Sequence, residues 1–159
     1  MIARRFAILF ILMFWQGGFL FYGTVVVTVG ANVLGSDREQ GFITQQVSSA
    51  LNIVGGVALL ALAIELATGR DYRIVENRKT RRNLWVMWGI QVVAVVILVV
   101  LHPRMDALMD SDEHIILDRP GFRSLHRWYL RIWTLLWLTS MLYLVGLLRS
   151  WKRMDRVIG

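Results

Sequence analysis

No cysteine occurs in this chain, so it can form neither a disulfide nor a thiolate metal site, and cysteine gives no clue to redox compartment. Charge is scarce too: Asp, Glu, Lys and Arg make up 18% of residues, against about a quarter in soluble domains. Four stretches of the 159 residues have no charge at all. Phe6 to Ser36 runs for 31 residues, Gly41 to Ile64 for 24, Asn83 to Pro103 for 21 and Ile132 to Leu148 for 17. With no acid near the middle of any of them, a conventional proton- or cation-coupled carrier is disfavoured, because its relay needs ionisable groups there. The first stretch also lacks the Ala-x-Ala site and the short apolar core, of about 7–15 residues, that mark a secretory signal. It is expected to stay as a first span.

What fills these stretches is hydrocarbon. The chain is 56% hydrophobic and its mean hydropathy is +0.52. A helix rises about 1.5 Å per residue, so roughly 20 apolar residues cross a hydrocarbon core about 30 Å thick. Four spans are predicted, near 6–32, 42–66, 84–102 and 126–148, with an outer segment at 103–125 and a basic inner loop at 69–83. They leave no room for a separate globular domain. The expected fold is all-α: an integral membrane four-helix bundle with the lipid bilayer as its solvent.

Charge orients the bundle. With the N-terminus placed in the cytoplasm, the inner segments carry 12 basic residues and four acids, and the outer segments six basic residues and seven acids. These nets, +8 and −1, sum to the overall +7. The bias predicts both termini cytoplasmic in the cell inner (plasma) membrane. Because the basic residues flank spans, they are read as fixing topology and touching anionic lipid, not nucleic acid. Trp85 and Trp88 at one interface, and Trp128, Tyr129 and Trp133 at the other, suit the headgroup level.

Within the spans, small and polar residues fall at helical spacing. Gly17, Phe21, Thr24, Thr28 and Asn32 share one face of span one, and Gln45, Ser48, Asn52 and Gly56 one face of span two. A packing seam between the two is favoured over a substrate groove. Trp88, Gln91, Val95, Leu98 and His102 align on span three, where Gln91 is expected to hydrogen-bond a neighbouring helix. Glu65, one turn from Gly69, is expected to snorkel to the inner headgroups.

Chemistry is expected at the outer rim. If 102–114 is helical, His102, Asp106, Asp110 and either Glu113 or His114 share a face, beside Met105 and Met109. Such donors suit a transition metal, although no fixed chelating motif is present. Arg119-Pro120-Gly121-Phe122 reads as a type II turn. Arg123, Arg127 and Arg131 follow at four-residue spacing, beside His126. A cap of salt bridges from these arginines to Asp106, Asp110 and Glu113 is the leading reading, with a metal or another small ligand second. Arg131 sits deep enough to need a carboxylate, carbonyl, lipid phosphate or anionic ligand. His102 and His126 lie at similar depth; as a haem pair they rank last, since rim histidines more often bond locally.

Three pieces of the chain resemble the small four-span family catalogued as domain of unknown function 4149, the transmembrane protein 205-like proteins. They are Trp15-Gln-Gly-Gly-Phe-Leu-Phe-Tyr, His102-Pro-Arg-Met-Asp and Gly121-Phe-Arg-Ser-Leu-His-Arg, with Phe122-x-x-Leu-His126 the most specific. Family members tend to have Ala-Pro near the end of span one, where this chain has Gly30-Ala31. They often have a small polar residue and an Asn just past the histidine, where Tyr129, Arg131 and Ile132 stand. The resemblance implies a link with metal handling but no settled reaction, and it directs attention to Arg104 and His126.

The sequence thus predicts a non-enzymatic multi-pass membrane protein with a metal or small-ligand site at the outer rim of spans three and four. His102, Asp106, Asp110 and His126 are the metal candidates, and Arg104, Arg127, Arg131 and Gln91 the ligand candidates. The alternative is an accessory or structural subunit that binds other membrane subunits. No nucleophile–base pair supports an enzyme.

Overall fold

The computed structural model describes residues 2–68, 78–110 and 115–158. Expectations for 111–114, including those for Glu113 and His114, and for most of the inner loop lie outside the described residues.

Long apolar runs become long helices. Helix α1 spans Ile2–Leu34 and contains a π-helical stretch, Tyr22–Val26. Helix α2 covers Asp37–Thr68, α3 Arg78–Asp106 and α4 Arg119–Ile158. All four are long and apolar enough to cross a membrane. The 40 residues of α4 extend about 60 Å, so its ends reach past any hydrocarbon core.

Local chemistry sets the helix ends. Gly35 takes a left-handed conformation, φ 63°, and closes α1. Ser36 then accepts a hydrogen bond from the Glu39 N–H at 3.2 Å and caps α2. The end of the bundle that carries this connection and the α3–α4 connection is called the outer end below, after the orientation expected from charge.

The core is a stripe from each helix. Ile8, Leu12, Trp15 and Gln16 of α1 are buried with Leu59, Leu62 and Leu66 of α2, Leu84, Ala94, Val95 and Leu98 of α3, and Trp133, Leu136, Tyr143 and Leu147 of α4. Packing is most extensive between α3 and α4, followed by α1 with α2 and α2 with α3. The bundle closes where Phe19 of α1 stacks on Trp133 of α4, their ring centroids 4.2 Å apart. The outward faces are apolar: Phe6, Phe10 and Phe14 form a stacked ladder on α1, and Leu135, Leu138 and Leu142 are exposed on α4.

Several expectations change. Gly17, Phe21, Thr24, Thr28 and Asn32 are exposed, so the stripe on α1 is not a seam against α2. Thr24 and Thr28 bond back to the carbonyls of Leu20 and Thr24, which lets these hydroxyls face outward without a partner helix. The first two helices instead meet where the Trp15 indole lies against Gly55 and where Tyr22 bonds with Thr44 and Gln40.

Helix α3 runs through Pro103 and stops at Asp106. Met109–Asp110 then pairs antiparallel with Ile115–Ile116, so Asp110 leaves the helical face of Asp106. The expected type II turn is the first turn of α4, where the Asp118 carboxylate accepts from the Gly121 N–H at 3.1 Å. Asp118 is thus an N-cap, and Pro120 occupies a first-turn position that needs no N–H donor. Glu65 does not snorkel: it is 3% exposed and pairs with Arg4 at 3.4 Å. Of the expected outer belt, Trp128 is exposed, whereas Tyr129 and Trp133 point into the core.

Candidate functional site at the outer end

Polar side chains converge between α2, α3 and α4 at the outer end. His102 lies four residues before Asp106 on α3, and its Nδ1 is 2.8 Å from the Asp106 Oδ2. Its Nε2 is 2.9 Å from the backbone carbonyl oxygen of Gln45 on α2. That carbonyl can only accept, so Nε2 carries a proton. The contact at Nδ1 then needs a second proton, held by the ring or by the carboxyl group. The imidazole is therefore held on both sides, with both nitrogens engaged.

One turn deeper, Tyr129 of α4 exchanges hydrogen bonds with Asn52 of α2. The amide donates to the phenol at 3.1 Å, and the phenol donates to the Asn52 Oδ1 at 3.3 Å. The Tyr129 ring lies edge-on to His102, centroids 6.5 Å apart, which joins the two pairs.

A second polar cluster sits deeper, at the crossing of α1, α3 and α4. Gln16 Nε2 donates to Ser140 Oγ at 3.0 Å, and the Ser140 hydroxyl lies 2.8 Å from Gln91 Oε1. Gln91 in turn donates to the Met87 carbonyl at 3.2 Å. The expectation that Gln91 bonds a neighbouring helix therefore holds. Gln16 and Ser140 were not singled out, because one polar residue in an apolar run does not name its partner. The signal was there nonetheless: an amide in a span needs a hydrogen-bonding neighbour.

The remaining candidates scatter. Arg104 and Arg127 are exposed, and Arg131 is exposed with its guanidinium 5.0 Å above the Trp128 ring. Among the described residues, Arg123, Arg127 and Arg131 pair with no carboxylate, so the expected salt-bridged cap is not formed by them. The reason is rotational. Tyr129 and Trp133 occupy the inward side of α4, and Arg131, midway between them, turns outward. His126 stacks on Phe122 at 5.8 Å, and Asp110 is half-buried in the short strand.

Among the described residues, no three His, Cys, Asp or Glu side chains are grouped to hold a metal ion. His102 and Asp106 are the two proposed metal ligands in contact. They do not by themselves make a metal centre.

No family model matches the chain, and no curated protein or solved structure matches it either.

Proposed function

We propose that this chain is a non-catalytic multi-pass protein of the cell inner membrane, both termini cytoplasmic, which binds a small polar or anionic ligand at its outer end. Four apolar helices support the membrane reading, and the excess of basic residues on the inner segments supports the orientation. His102, Asp106, Asn52 and Tyr129 meet at the outer end of a largely apolar interior, and on that convergence the ligand site rests. A transition metal is the weaker choice of ligand, because both ring nitrogens of His102 already have hydrogen-bonding partners. Membership of the four-span family named above is part of the same proposal, supported by the three shared pieces and the four-helix layout.

Native mass spectrometry of protein released from mild detergent tests the site. The wild type is expected to carry a non-covalent adduct that is absent from His102→Gln. A wild type free of adducts would defeat the proposal. An adduct whose mass is that of a metal ion would transfer the site to metal binding.

A specific observation favours the second reading, an accessory subunit of a larger membrane complex. The exposed Gly17-to-Asn32 stripe borders an open apolar groove lined by Met13, Phe14, Gly18, Leu51 and Val54, a shape that can admit a partner's helix. It predicts stoichiometric co-purification with another chain in mild detergent. Elution as a solitary monomer would count against it.

A further inference from the structure

We infer that the cleft between the first turns of α2 and α4 binds a phosphate-bearing anion through Arg38, Arg119 and Arg123. The cleft shares no residue with the cluster of His102, Asp106, Asn52 and Tyr129, so the inference goes beyond the outer-end ligand reading.

Three arginines reach one cleft of about 260 Å³, floored by Ile116 and Phe122. They come from separate parts of the chain. Arg38 is in the first turn of α2, and Arg119 and Arg123 are one turn apart at the start of α4. All three are exposed. Among the described residues, Arg119 and Arg123 have no ion-pair or hydrogen-bond partner, and Arg38 approaches only its neighbour Glu39, at 3.8 Å. Three like charges around one cleft repel each other unless an anion lies between them.

Asp118 does not supply that anion. It is turned onto the Gly121 N–H as the cap of α4. With that N–H occupied and Pro120 lacking one, the helix end contributes its dipole but few donors. Recognition falls to the guanidinium groups, whose planar forks match the oxygens of a phosphate better than a halide or a lone carboxylate. Ile116 and Phe122 add an apolar floor that strengthens such bonds by excluding water.

Position suggests where the phosphate comes from. Arg123 lies five residues beyond the exposed Trp128, about 7.5 Å along α4, and Trp128 marks the headgroup level. A phospholipid headgroup and a free phosphate ion share the chemistry that this cleft recognises, and the two sources can be separated by experiment.

The test uses the full chain, delipidated in mild detergent. Inorganic phosphate is titrated by calorimetry, and phosphatidylglycerol and phosphatidylcholine are added for native mass spectrometry. The Arg119→Gln/Arg123→Gln variant is compared with the wild type and with Arg149→Gln/Arg156→Gln at the opposite end. Losing two charge-assisted contacts should weaken binding by tenfold or more, while the control pair changes little. Saturable phosphate binding lost only in the Arg119/Arg123 variant assigns the cleft to free phosphate. Retention of one phospholipid per chain, lost in the same variant, assigns it to a headgroup. If circular dichroism shows that the variant has lost helix, Arg119→Lys/Arg123→Lys replaces it. That pair keeps the charge and should show intermediate affinity. Binding as tight in the Arg119/Arg123 variant as in the wild type, or no binding of any probe, overturns the inference. An adduct removed by His102→Gln but indifferent to the arginines would end the inference and leave the outer-end site standing.

Discussion

Replacing Arg4 with leucine is expected to lower stability by about 2 kcal/mol, and adding Glu65→Gln to the same chain should recover most of the loss. Glu65 sits on α2, where its side chain is 2% exposed, and Arg4 of α1 reaches it at 3.4 Å. A carboxylate taken this far from water is stabilised chiefly by an opposite charge and its hydrogen bonds. Removing the cation leaves the desolvation cost with less to offset it. The expected loss lies below the range for fully buried pairs because the Arg4 side chain keeps 34% of its exposure. Glutamine removes the charge while keeping the shape, so the doubly substituted chain no longer buries an anion. Unfolding in mixed micelles of mild and denaturing detergent reads all three variants. If Glu65→Gln fails to rescue Arg4→Leu, the electrostatic account of this contact is wrong. A second ion pair, Arg5 with Asp155 at 2.9 Å, ties the same end of α1 to α4. It is expected to persist in every variant.

Two adjacent glycines are expected to behave oppositely. Gly55→Leu should destabilise by about 2–3 kcal/mol, whereas Gly56→Ala should stay within about 0.5 kcal/mol of the wild type. A Cβ placed on Gly55 would stand 2.8 Å from Trp15 Nε1 and 2.9 Å from two further indole atoms. Trp15 is fully buried and its ring is rigid, so it has nowhere to move without pushing α1 away from α2. Gly56 points outward with nothing within 4 Å of the corresponding atom. Adding Trp15→Ala to Gly55→Leu should cost less than the two single losses summed, because the leucine refills the space the indole leaves. Strict additivity in that cycle, measured by the same micelle unfolding, would show that the two residues do not share one site.

Much of the fold was legible, and the limits have physical causes. Length and absence of charge located the four helices, because a span needs about 20 apolar residues whatever its neighbours are. Gln91, Val95 and Leu98 were correctly placed on one buried face of α3, since an amide in an apolar run has to seek a partner. The outward face of α1 was not legible. In a soluble helix polar residues mark the surface, but where the surroundings are apolar, both the core and the outside of a helix accept Leu, Val and Phe. The Gly17-to-Asn32 stripe therefore resembled a seam. Thr24 and Thr28 satisfy their hydroxyls within α1, a solution that spacing alone cannot distinguish from pairing across helices.

At the outer end, helical spacing put His102 and Asp106 on one face, and the two side chains do meet. Only packing could show that Tyr129 and Asn52 complete that cluster, and that Arg131 turns away to Trp128. A rotation of α4 by half a turn would exchange those assignments without altering any apolar run. Likewise, Arg38 and Arg119 are 81 positions apart, and they share a cleft only because the starts of α2 and α4 stand side by side. Charge scarcity and run length thus settle how many helices form and where they lie in the chain, because those depend on each segment's own exchange between water and hydrocarbon. The rotation of each helix, and hence which polar groups meet, depends on side-chain fit between segments distant in sequence. Only the assembled bundle decides that.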